Sequence, residues 1–130
     1  MIVSLHVATG GALGALSGSR AAAALLGPPA HLLGDRIPHQ DIPSRRFEIG
    51  SGAACVALLA LRRGPLDSAV VGAVAASSPD LEHVFRVLRP GGRKVFHGRL
   101  GWHRSGGVLP AAAQLILAGA IVGYLLAPRR

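Results

Sequence analysis

The sequence predicts an all-α protein: a small polytopic membrane bundle of about four to five transmembrane helices, plus one short interfacial amphipathic helix. Three observations carry that expectation. Half of the 130 residues are hydrophobic, yet only 3 Phe, 1 Trp and 1 Tyr are aromatic, so the apolar mass is mostly Ala, Leu, Val and Gly. The 18 glycines would be costly in ordinary helices but are favoured where membrane helices pack closely. The mean hydropathy is +0.43 despite a net charge of +8, so the charges are segregated from the apolar runs. A chain of this length makes one membrane-embedded domain, 1–130.

The first apolar run, Ile2 to Ser19, carries Gly10, Gly14 and Gly18 at four-residue spacing, a pattern that lets helix backbones approach. Ala21 to Pro38 is the second, with Pro28-Pro29 implying a kink or break in its middle. Gln40 to Arg46 is a polar loop. Runs three and four, Phe47 to Leu61 and Leu66 to Ser78, are short for spans and are expected to cross tilted. Ser78-Pro79-Asp80 starts a helix, with Ser at the N-cap and Pro at the first helical position. Leu81, Val84, Phe85 and Leu88 follow at helical spacing, giving the interfacial helix, which Pro90-Gly91-Gly92 stops. Arg93 to Gly107 is a basic loop in which Trp102 serves as an interfacial anchor. Val108 to Ala127 is an uncharged run of spanning length, with Gly119 and Gly123 four apart and Arg129-Arg130 as a terminal anchor.

The basic balance makes anionic lipid headgroups the expected partner; no basic patch interleaved with aromatics is present, so nucleic acid is not favoured. The lone Cys55 rules out an internal disulfide and, deep in the third run, argues against thiolate ligation. No basic region precedes the first apolar stretch, so no cleaved signal peptide is expected. The glycine pairs Gly10/Gly14/Gly18 or Gly119/Gly123 offer a route to a homo-oligomer.

The distinctive chemistry lies in His31-Leu-Leu-Gly-Asp35-Arg-Ile-Pro38-His39-Gln-Asp41. His31 and Asp35, one helical turn apart, project from one face. If every run crosses once, His6, His31, Asp35, His39, Asp80, Glu82, His83, His97 and His103 all emerge on the same side, and the opposite side holds no histidine. Imidazole with carboxylate suits zinc, manganese or iron. Asp80 and His83, at i and i+3, form a second pair on one face, and there are enough ligands for two metals. The positive-inside count places this face and the N-terminus on the cytoplasmic side of the inner membrane.

An early His in the first helix, His-x-x-x-Asp followed by Pro-His, Pro-Asp-x-acid-His and a later His-containing loop resemble the predicted membrane-bound metal-dependent hydrolases of bacteria and archaea. Here these are His6, His31 to Asp35 with Pro38-His39, Pro79 to His83, and His97 to Ser105. Glu82 stands where that family usually has Asp, and the histidines at 97 and 103 depart from its usual spacing by one. The resemblance implies a hydrolase distantly similar to zinc-dependent phospholipase C, acting on a phosphoester or lipid-like substrate with water activated by the metal. His6, His31, Asp35, His39, Asp80 and His83 would then be metal ligands and Glu82 or Asp41 the general base. Arg36, Arg86, Arg104, His97 and His103 would hold the substrate. The alternative is a non-catalytic membrane protein that uses the same cluster for metal binding, transport or assembly.

Overall fold

Each apolar run of the sequence becomes a helix; four of the helices are shorter than their runs, and the third, Arg45–Arg63, extends beyond its run at both ends. The computed structural model describes residues 1–100, 103–104 and 106–128. Its elements are α1 (Val3–Ser17), α2 (Arg20–Asp35), α3 (Arg45–Arg63), α4 (Ser68–Ser77), α5 (Leu81–Val84) and α6 (Ala111–Leu126), with single helical turns at Ser78–Asp80, Arg86–Leu88, Pro90–Gly92 and Val95–Arg99. The all-helical expectation holds.

The membrane expectation does not. Among the described residues no helix is long and apolar enough to cross a bilayer. α1, α2 and α6 have 15, 16 and 16 residues, or roughly 24 Å at 1.5 Å per residue against about 30 Å of hydrocarbon. α3 reaches 19 residues only by including Arg45, Arg46, Glu48, Arg62 and Arg63. The longest uncharged run loses its first turn because Pro110 is extended (ψ 146°) and α6 starts only at Ala111. With no spanning helix, the membrane-embedded domain, the integral inner-membrane location and the cytoplasm-facing orientation lose their basis. The proposed anchors Trp102 and Arg129-Arg130 lie outside the described residues.

The interfacial helix is also absent as a continuous element. α5 stops at Val84, Phe85 is extended (φ −101°, ψ 110°), and a separate turn follows. Arg89 accounts for the break. Its guanidinium donates to the Glu82 and His83 carbonyls (2.6 and 3.0 Å), which a continuing helix would have given to its own N–H groups. Ser78 does not cap; its hydroxyl turns back to the Ala75 carbonyl (2.7 Å). Pro28 and Pro29 lie within an unbroken α2. The carbonyls they strand belong to Ala24 and Leu25, which are exposed and can bond water.

α1 is the central helix. Ile2, Leu5, Ala8, Ala118 and Val122 form one core cluster, and Val7, Leu59, Val70, Ala73 and Leu125 a second. Glycine allows α1 and α4 to touch backbone to backbone. A methyl on Gly14 would strike the Ser68 carbonyl, and one on Gly72 the Gly10 carbonyl. Gly10 and Gly14 are therefore used inside the chain and are not available to a second copy, whereas Gly119 and Gly123 have open space around them. Gly72→Ala is expected to destabilise the protein by about 1–3 kcal/mol, the usual cost of overpacking, seen as a lower urea midpoint. Gly119→Ala should not lower it.

Candidate metal centre

The last turn of α2 places His31 and Asp35 side by side, both buried, with His31 Nε2 3.4 Å from Asp35 Oδ2. α1 brings His6 beneath them: its Nε2 lies 2.9 Å from Asp35 Oδ1, and its ring stacks on His31 at 3.7 Å. The Met1 amino group bonds the same Asp35 oxygen. The turn after α4 supplies Asp80. The segment beyond α5 supplies His97, whose Nε2 lies 3.2 Å from Asp35 Oδ2, 3.3 Å from Asp80 Oδ1 and 3.3 Å from His31 Nε2. His31 Nε2 to Asp80 Oδ1 is 3.8 Å. Donor atoms about 2.0–2.1 Å from a tetrahedral ion stand roughly 3.3–3.4 Å from one another. The His31, Asp35 and His97 atoms, 3.2–3.4 Å from one another, match that spacing, whereas Asp80 lies near His97 but farther, 3.8 Å, from His31.

The outer nitrogens set how the two imidazoles point. His31 Nδ1 donates to the Ala76 carbonyl (2.8 Å), and His97 Nδ1 to Glu82 Oε1 (2.7 Å). Each Nε2 is thereby left to face the other with its lone pair. Two lone pairs at 3.3 Å repel unless a proton or a cation lies between them. Burial draws the His97 pKa down, but hydrogen bonds to Asp35, Asp80 and Glu82 outweigh it and hold it up at about 10. Burial disfavours the Asp35 carboxylate, yet bonds from His103, His31, His6 and His97 hold its pKa well below the usual range. Asp80 is also lowered, burial being outweighed by the bond from His97. Its second oxygen, Oδ2, is buried without a hydrogen-bond partner.

Glu82 occupies a different place from that of a general base. Its carboxylate accepts from the backbone N–H of Val95 (2.7 Å), Phe96 (3.2 Å) and His97 (2.7 Å) as well as from His97 Nδ1. It ties down the turn that carries His97, and its lone pairs are taken. His83 packs edge-on against His97, with ring centroids 4.1 Å apart, and its Nδ1 lies 2.9 Å from Lys94 Nζ. Burial, then the charges of His97 and Lys94, push its pKa down to about 4. Burial does the same to His6, to about 4.

On the other side of Asp35 lies His103. Its Nδ1 is 3.1 Å from Asp35 Oδ2 and its Nε2 3.4 Å from Asp41 Oδ2. His39 Nε2 is 3.1 Å from Asp41 Oδ1. Backbone pairing holds this half together: Arg104 N–H donates to Asp35 O (3.0 Å), Gly107 N–H to His39 O (2.9 Å) and Gln40 N–H to Leu109 O (2.9 Å). All six histidines of the chain thus meet in one cluster. Groups that could hold a metal ion are His6/His31/Asp80, His31/Asp35/His97, Asp35/His39/His103 and Asp80/His83/His97.

A cavity of about 240 Å³ opens onto the cluster, lined by Asp41, Asp80, His83, His97 and His103, with Arg45 and Glu48 on its α3 wall. Arg36, Arg86 and Arg104, the arginines the sequence suggested for substrate, do not line it. Sequence reasoning missed Arg45, hidden in an Arg-Arg pair read as loop. It also missed Gln114, which is completely buried. The Gln114 amide accepts from Ile2 N–H (3.0 Å) and donates to the Gln40 carbonyl (2.8 Å), so it holds α1 and the His39 segment in register. A lone amide within the apolar Ala111–Leu126 helix was the available signal.

No protein-family model matches the chain, and no curated protein or solved structure is found similar to it. What the centre does must come from its own geometry.

Proposed function

We propose that the protein is a metal-dependent hydrolase of phosphoester substrates, with His31, Asp35 and His97 holding a divalent cation, zinc in the first instance, and Asp80 beside the position left open. The observation that carries this is the facing pair of imidazole Nε2 atoms, oriented by Ala76 and Glu82 and completed by an Asp35 carboxylate oxygen. The donor set suits zinc, with manganese or iron as close alternatives. The outer hydrogen bonds are the kind that fix metal-ligating imidazoles.

A cation there supplies Lewis acidity, polarising a phosphoryl oxygen and acidifying water. The chain's own groups supply the rest. Arg45 offers a guanidinium to the anionic substrate in the cavity. Asp41, which is exposed, hydrogen-bonds His103 (3.4 Å) at the cavity wall. Burial of Asp35 and His31 keeps water from the inner side, so a substrate can approach only from the side of Asp80, His83 and His103.

Metal-free protein loaded with Zn²⁺ or Mn²⁺ should retain at least one equivalent after dialysis and hydrolyse an activated phosphodiester reporter. Chelation should abolish both. Retention of less than a stoichiometric amount of either metal would refute the reading. Metal retention without hydrolysis would favour a non-catalytic metal-binding protein.

Arg45→Ala is expected to raise KM about tenfold with little change in kcat, since an exposed charge contacts the substrate rather than the reacting bond. Metal affinity should rise with pH. The proton that His97 holds up to about pH 10 must leave before the ion enters, so apparent affinity gains up to about tenfold per pH unit between 6 and 8. Competition against a chromogenic chelator across that range measures the slope.

A further inference from the structure

We propose that the chain holds a second divalent cation next to the first, among Asp35, His39 and His103, with Asp35 shared between the two positions and the Asp41 carboxylate beside His39. This inference rests on the metal-centre reading above and extends it to a two-cation site.

His39 carries the argument. It is completely buried, and its Nδ1 donates to the Ile37 carbonyl (2.6 Å), so Nε2 presents a lone pair. That nitrogen has no hydrogen-bond partner. Asp41 Oδ1 is 3.1 Å away but off the line a hydrogen bond needs. A buried lone pair set against a carboxylate oxygen is repulsive on its own and becomes favourable with a cation between the two. One donor atom from each of Asp35, His39 and His103 lies within 4.8 Å of the others. His103 meets Asp35 through Nδ1 (3.1 Å) and Asp41 through its other nitrogen, Nε2 (3.4 Å), so Asp41 stands beside the Asp35/His39/His103 group, against His39 Nε2, rather than within it.

The position is held ready by backbone rather than by side chains alone. Gly107 N–H donates to the His39 carbonyl (2.9 Å), and His39 N–H to the Arg104 carbonyl (3.2 Å). A side chain on Gly107 would collide with the backbone at Pro38 and His39, so glycine is what lets these two ligand-bearing segments lie against each other. Two cations sharing a carboxylate clamp both the entering and the leaving oxygen of a phosphoryl displacement.

The test is a stoichiometric titration of the metal-free full chain with Zn²⁺ and, separately, Mn²⁺, read by equilibrium dialysis with elemental analysis. Wild type should bind two equivalents. His39→Ala and Asp41→Asn should each keep one equivalent at near wild-type affinity and bind the second at least tenfold more weakly. Asp41 is exposed, so its variant stands even if the buried His39→Ala fails to fold. One equivalent in wild type would overturn the second site while leaving the first intact, as would two equivalents undisturbed by Asp41→Asn. No bound metal in wild type would overturn both.

Discussion

His97→Ala is expected to strip the protein of its metal and with it any hydrolysis, while leaving the helical content unchanged. His97 is the residue on which the centre converges: its Nε2 lies within 3.3 Å of His31, Asp35 and Asp80. Its side chain belongs to a short turn outside the core helices, so truncation removes a donor without opening the helix packing. Residues that only orient a ligand are worth roughly 10–100-fold in metal affinity, and a donor in direct contact should exceed that range. Dialysis followed by elemental analysis gives the affinity, and far-ultraviolet circular dichroism the fold. The variant that binds metal as wild type does would remove His97 from the centre. His31→Ala should behave alike but with some loss of stability, because His31 is completely buried and its Nδ1 satisfies the Ala76 carbonyl.

The second large effect is expected at Glu82, which touches no other ligand but His97. Glu82→Ala removes the acceptor of three backbone N–H groups and of His97 Nδ1. Each buried donor left unpaired costs about 1–3 kcal/mol, so the Val95–Arg99 turn should come loose before the helices do. Amide exchange at Val95, Phe96 and His97 should accelerate by at least tenfold, and metal affinity should fall about 10–100-fold. Glu82→Gln separates the two effects. Its carbonyl oxygen can still accept, but the negative charge that strengthens His97 as a donor to metal is gone. A general base, by contrast, would lose kcat with metal content intact. That result would return Glu82 to the catalytic role the sequence suggested.

Much of the helix placement was legible because it depends on local chemistry. Runs of apolar residues between Arg20, the Arg45-Arg46 pair and Arg62-Arg63 mark where α1 to α3 lie. The His31–Asp35 proximity follows from spacing within one helix. Length was not legible. Four of the five apolar runs continue past the helix ends, and nothing local says that Pro110 stays extended or that Arg104, Gly107 and Leu109 pair with Asp35, Pro38, His39 and Gln40. Those are long-range hydrogen bonds. The gathering of histidines was expected from a count of membrane crossings, and among the described residues no helix is long and apolar enough to make one. Packing gathers them instead: α4 lies against both α1 and α2, which carries Asp80 up to His6 and His31. The break after Val84 was hidden for a related reason, since it depends on the Arg89 guanidinium folding back onto carbonyls six and seven residues away.

The donors of the centre come from distant parts of the chain; His31 and His97 are 66 residues apart in sequence yet 3.3 Å apart in space. An ion held between them therefore closes large loops that the unfolded chain would leave open. The entropy of such closure grows only slowly with loop length, by about 0.6 kcal/mol per doubling. Fixing several such loops at one point nevertheless couples the helices to the short turns between Arg86 and Arg99. Ligand binding of this kind adds about 4 kcal/mol to folding when the free metal is a thousandfold above its Kd. For a small helical chain whose last ligands lie outside its main helices, metal supply would then set not only activity but how much of the carboxy-terminal half is folded at all.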